Sequence, residues 1–211
     1  LEGAAIPAWN RLGVKPVGVF TRVPEDMGKR KPRHEVYVLL PHRSADSLLT
    51  CVAQMMQDSE FLAAASELHG APQKTPVYKR VESSLLLAFD AVPKLELPAK
   101  GPDRVFQMRI YESHTEKAAQ KKIEMFGRAG EIALFRECGL TPVFFGQTIA
   151  GPRMPNLTYM LGFANDGARE KAWETFKGHP GWEKLRSDPQ FKDTVSNITN
   201  MVLKPKPFSQ I

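Results

Sequence analysis

Residues 104–112 read RVFQMRIYE, with Phe106, Met108 and Ile110 on one side of a two-residue alternation and Gln107, Arg109 and Tyr111 on the other. That period predicts a β-strand. SHTE at 113–116 follows as a capping box, with Ser113 capping the amide three residues on and Glu116 reaching back. The apolar positions then switch to helical spacing at Ala119, Ile123, Phe126, Gly130, Ala133 and Leu134. They predict one helix to about Cys138, ended by Gly139. A strand near 141–148, a turn at AGPRMPN and a strand near 156–164 come next. Asp166 caps a helix whose inner face is Ala168, Ala172, Trp173 and Phe176. GHPGW at 178–182 breaks that helix, SDPQF restarts a short one, and VSNITNMVL at 195–203 closes the unit. The order is βαββαβ, the split ferredoxin-like unit.

The chain writes this plan twice. LGVKPVGVF at 12–20 repeats CGLTPVFFG at 138–146, with Gly13 on Gly139, Pro16 on Pro142 and Val17 on Val143 at one offset of 126. In the first copy a helix end at 4–12 leads to strands at 14–22 and 34–41. A helix capped by Ser44 then carries Leu48, Leu49, Val52 and Met55, and SSLLLAF at 83–89 is the closing strand. Tyr37 falls on Tyr159, Phe61 on Trp182, and Trp9 on Phe135, the last pair lying off the inner helical stripe. The first copy's opening strand and most of its first helix would precede Leu1, judged from the gap between Arg104 and Gly139, so the natural chain is expected to extend further.

The expected organisation is therefore a first repeat at 1–92, a proline-rich linker at 93–103 and a second repeat at 104–211. The expected fold is α+β: two tandem ferredoxin-like units, the first lacking its opening strand. Each has one open sheet face, and burying the two together gives an intrachain dimeric α/β-barrel. Such a chain stands as a monomeric pseudo-dimer or pairs again as a homodimer.

Composition narrows function only by exclusion. A net charge of +6 is spread through the chain, and the tightest basic cluster, KRKPRH at 29–34, has no interleaved aromatics, which argues against nucleic acid. No apolar run is long enough for a transmembrane helix. Cys51 and Cys138 are expected as free thiols. His34, His42, His69, His114 and His179 form no metal-ligand spacing, and no nucleophile elbow or phosphate loop occurs. No catalytic residue, metal or cofactor is predicted, and no compartment is legible.

FQMRIYES resembles the opening strand of the NIPSNAP family, and NLTYMLGFANDGARE its third strand and following helix, with Arg169 at a recurrent arginine. GHPGWEKL is similar to the family's helix break, and VSNITNMVLKPKPFS to its C-terminal strand and tail. In the first copy MMQDSEFLAAASEL and SSLLLAFD fit more loosely. The resemblance implies a dimeric α/β-barrel fold without an established reaction. Some NIPSNAP proteins are linked to mitochondria and to protein–protein interactions, and fold relatives include cofactor-free monooxygenases and haem-degrading enzymes.

The candidate chemistry lies on the polar side of the 104–112 strand. Gln107, Arg109 and Tyr111 on one face must be hydrogen-bonded or line a cavity, where Arg109 holds an anionic group and Tyr111 offers a phenol. The competing reading is a structural arginine bonded to carbonyls or a helix carboxylate. Tyr37 and Tyr159, at equivalent positions of the copies, complete the candidate pocket. The charge on Arg169, in the first turn of a helix, calls for a carboxylate partner. The expectation is a NIPSNAP-like module binding a small hydrophobic or anionic ligand or a protein partner. The alternative is an oxidoreductase or monooxygenase acting on a hydrophobic or haem-like substrate.

Overall fold

The computed structural model describes residues 1–23 and 35–211, and the KRKPRH run lies outside them. The described residues form two compact units that interleave along the chain. One draws on residues 1–21, 35–82 and 205–211, the other on residues 22–23 and 83–204. The last seven residues belong to the first of these units and the 83–89 strand to the second.

In the first unit, helix α1 (Ala5–Arg11) ends where Gly13 takes φ +78° and the Val14 N–H donates to the Trp9 carbonyl at 2.9 Å. Strand β1 (Gly18–Arg22) pairs antiparallel with β2 (Val36–Leu39), Phe20 opposite Tyr37. Helix α2 (Ala45–Met55) is capped by Ser44 as expected, its hydroxyl accepting from the Ser47 N–H at 3.2 Å. Helices α3 (Ser59–Ala64) and α4 (Ser66–His69) follow. Ala8, Val14, Cys51, Met55 and Phe61 make one core of this unit. The buried stripe of α2 is Cys51 and Met55. Leu49 and Val52, expected to pack, lie about 140° and about 80° round the helix from that stripe and are 79% and 71% exposed. The tail runs beside β1, Lys206 N–H donating to Val19 O at 2.8 Å and Gln210 N–H to Val17 O at 2.9 Å.

The second unit holds β3 (Leu85–Ala88), β4 (Val105–Glu112), α5 (Glu116–Phe126), α6 (Glu131–Glu137), β5 (Thr141–Ala150) and β6 (Asn156–Phe163). After them come α7 (Asp166–Lys177), α8 (Pro180–Ser187) and β7 (Asn197–Pro205). Its strands are ordered β7-β4-β6-β5-β3. Within the second repeat, the closing strand lies beside the opening one and the third between the first and second, which is the ferredoxin-like order. Strand β3, expected to close the first repeat, forms where predicted but pairs antiparallel with β5, Leu86 opposite Thr148.

Several local expectations shift by a few residues for clear reasons. The single helix expected to Cys138 is two, because Gly127 ends α5 and Gly130 takes φ +93° ahead of α6. The N-cap is Thr115, whose hydroxyl accepts from the Ala118 N–H at 3.2 Å. Ser113 instead donates to the Thr194 carbonyl at 2.7 Å. Asn165 rather than Asp166 caps α7, leaving Asp166 to pair with Arg169 Nε at 2.6 Å, the carboxylate that arginine required. Ala168 of the expected inner face is exposed. SDPQF forms the short helix expected with Pro189 in its first turn, as a single 3₁₀ turn at Pro189–Phe191 capped by Asp188, after α8 at Pro180–Ser187. Phe135, placed off the inner stripe by a straight helix, is 1% exposed and packs edge-on to Phe176. Gly139 ends α6 with φ +80°, and the Leu140 N–H donates to Phe135 O at 2.8 Å, bond for bond the junction seen at Gly13. Cys51 and Cys138 are buried free thiols.

Candidate functional site

Strand β4 lies between β6 and β7, so its residues from Phe106 to Glu112 have neighbours on both sides. Arg109 is opposite Tyr159 on β6 and Asn200 on β7. Its polar face, Gln107, Arg109 and Tyr111, looks toward helices α5 to α8, and a cavity of about 820 Å³ lies between. Gln107 is fixed at both ends of its amide: Nε2 donates to Asn200 Oδ1 at 2.7 Å, and the Trp173 indole N–H donates to its oxygen.

Arg109 sits among rings. Its guanidinium carbon is 4.8 Å from the Trp173 ring centre and 5.1 Å from that of Tyr111. Such contacts stabilise a cation by about 0.5–2 kcal/mol each. The Nε atom is buried without a hydrogen-bond partner, and no carboxylate pairs with the side chain among the described residues. Tyr111 and Tyr159 share a hydrogen bond of 3.2 Å between their hydroxyls. Burial raises the Tyr111 phenol and lifts Tyr159 well above the usual tyrosine range, so both are neutral donors.

A second group faces the same cavity. Lys122 Nζ meets Glu131 Oε2 at 2.7 Å, with side chains 5% and 2% exposed. Rings surround the amine: Phe126 at 4.3 Å, Tyr111 at 5.5 Å and Trp182 at 5.9 Å. Desolvation lowers the Lys122 value against the pull of Glu131, and raises that of Glu131 against the pull of Lys122. Burial thus pushes both partners toward their neutral forms.

Of the residues singled out in the sequence, Gln107, Arg109 and Tyr111 line the cavity, and Tyr159 lies fully buried against Tyr111. Tyr37 is in the other unit, its hydroxyl donating to Glu35 at 2.8 Å, and the lining comes wholly from the second unit. Lys122, Glu131, Trp173 and Trp182 were not assigned to the site from sequence. Lys122 had a legible signal, since it falls three residues after Ala119 and four before Phe126, inside the apolar stripe. Glu131 had none, because its position depends on the break before α6. Among the described residues, no three His, Cys, Asp or Glu gather as metal ligands, and no helix is long and apolar enough to cross a membrane.

The NIPSNAP family model matches residues 106–210. The chain belongs to the NIPSNAP family through its second repeat. A NIPSNAP-like domain protein from Burkholderia xenovorans is 21% identical over 52% of this chain and 90% of its own, with a TM-score of 0.46. Over nearly the whole chain the likeness is one of fold. A candidate monooxygenase from Lactobacillus acidophilus aligns with 95% of this chain and 85% of its own at 12% identity and a TM-score of 0.56. An anthrone oxidase-like protein aligns with 96% and 87% at 12% identity and a TM-score of 0.50. The α+β fold class expected from the repeat is the one this chain shares with the monooxygenase-like and anthrone oxidase-like neighbours. No curated protein matches the sequence.

Proposed function

We propose that this NIPSNAP-family chain binds a small organic anion with an apolar body in the second-unit cavity, Arg109 receiving the anionic end. One observation carries the reading: Arg109 lines the cavity with a buried Nε that has no hydrogen-bond partner, and Glu131, the acid whose charge reaches it, is already paired with Lys122. An unsatisfied buried donor costs about 1–3 kcal/mol, more when charged, and a ligand carboxylate accepting two parallel hydrogen bonds would offset that cost. Trp173 and Trp182 offer the apolar wall, and the neutral Tyr111 hydroxyl a second donor. Native mass spectrometry of the gently purified chain, followed by calorimetry with carboxylates of graded size, tests this. A retained or titrated anion lost in Arg109→Gln and kept in the rim variant Lys177→Gln supports it. Equal binding by both variants removes Arg109 from the site.

A second reading is oxygenation of a hydrophobic substrate in the same cavity. It is favoured by the neutral phenol pair beside a volume large enough for a polycyclic ring system, and by the fold shared with a candidate monooxygenase. Oxygen uptake with anthrone, compared between the parent chain and Tyr111→Phe, decides it. No uptake above the uncatalysed rate sinks this reading and leaves anion binding standing.

A further inference from the structure

Lys122 is used by neither reading above, although it lines the cavity and is almost wholly withdrawn from water. A lysine becomes a nucleophile when it is desolvated or placed near another cation, and both conditions hold here, with Arg109 the second cation. Its partner Glu131 is in hydrogen-bond reach, so the amine can hand over its proton and the acid can return it. The Tyr111 ring sets the scale: the Arg109 guanidinium and the Lys122 amine lie 5.1 Å and 5.5 Å from its centre. An anion receptor and an amine are thus placed on one aromatic platform.

We propose that Lys122 forms a reversible imine with small oxo acids, compounds that carry a carbonyl beside the carboxylate held by Arg109. The inference rests on the anion-binding reading of Arg109 and names the ligand class of that site. Glu131 takes a proton from the ammonium, and the neutral amine adds to the carbonyl carbon. The C–N bond forms as the carbonyl π bond breaks, and the oxygen takes the proton from Glu131. The carbinolamine nitrogen returns a proton to Glu131, which passes it to the departing hydroxyl. One water leaves as the C=N bond forms. Nothing is oxidised or reduced, so the step requires no co-reactant. Phe126 and Trp182 hold bulk water from the product.

The test incubates the full chain with glyoxylate or pyruvate and sodium cyanoborohydride, which reduces an imine to a stable amine, and maps the adduct by peptide mass spectrometry. The expected result is an adduct on Lys122 in preference to the surface lysines, diminished in Arg109→Gln and absent in Lys122→Arg. The arginine variant keeps the charge facing Glu131, so it folds, yet it cannot form the imine. Calorimetry with lactate, which has the carboxylate but no carbonyl, runs beside it. Lactate binding without a Lys122 adduct overturns the imine and preserves the anion site. Labelling of surface lysines alone, unchanged by Lys122→Arg, overturns it too. Loss of both signals overturns both.

Discussion

Lys122 Nζ and Glu131 Oε2 lie 2.7 Å apart at a place where neither side chain is more than 5% exposed. Removing one member of such a pair strands a charge, at a cost of about 3–5 kcal/mol, whereas replacing both with apolar groups of similar volume is often neutral or stabilising. Lys122→Met alone is therefore expected to lower the urea midpoint steeply. Lys122→Met with Glu131→Leu should recover most of the loss. A double variant as unstable as the single one would mean that the pair holds α5 to α6 by geometry that no apolar packing replaces.

Arg109 is expected to matter less. Two rings, the Tyr159 hydroxyl and the Glu131 charge support its guanidinium against desolvation and an unpartnered Nε, so Arg109→Met in the ligand-free chain should change stability by no more than about 1 kcal/mol. A thermal melt checks this. A fall of several kelvin would restore the structural reading of this arginine.

The phenols predict an alkaline limit. Burial raises Tyr111 and lifts Tyr159 well above the ordinary range. Such a group keeps its proton in the folded chain after the unfolded chain has lost its own. Its contribution to stability is whole below about pH 10 and is lost as the pH climbs through the folded value. Two of the four tyrosines should thus titrate late by ultraviolet absorbance. Replacing both Tyr111 and Tyr159 with Phe should flatten the fall in stability above about pH 10. Titration of all four in the normal range would show water reaching the pair.

Gly13 and Gly139 should respond alike. Both take left-handed conformations, φ +78° and +80°, and an added Cβ meets nothing within 4 Å at Gly13 and only the Ala172 methyl at 3.7 Å at Gly139. Space is not the difficulty at either position, so Gly→Ala should cost about 1–2 kcal/mol at each, the price of a left-handed alanine. Clearly unequal losses in chemical denaturation would mean that the two junctions are not energetic equivalents.

These two glycines also mark what a sequence can disclose. The junction at 12–20 and its copy at 138–146 were legible because helix termination is local chemistry: a left-handed glycine followed by an extended run. The polar face Gln107, Arg109 and Tyr111 was legible for the same reason, since alternation along one strand needs no partner. Three other features depended on distant residues. Ser113 resembles a cap in the sequence, but in the folded unit its hydroxyl donates to the distant Thr194 carbonyl, and Thr115 takes the cap. Strand β3 was found, but which strand it pairs with is a tertiary choice, and it pairs with β5. Leu49 and Val52 are as apolar as Met55, so the sequence could not say which face of α2 turns inward.

The interruption between α5 and α6 has a geometric consequence for the cavity. On an unbroken α-helix, residues nine apart are separated by a rise of about 13.5 Å and point in opposite directions, because nine steps of about 100° make two and a half turns. Lys122 and Glu131 stand in that sequence relation and still touch. Neither Gly127 nor Gly130 lines the cavity, yet the corner they form folds the second limb back so that the acid arrives at the amine. The proton path of the site is thus set by two residues without side chains. A chain that straightened this corner would keep every polar group of the cavity and lose their conjunction.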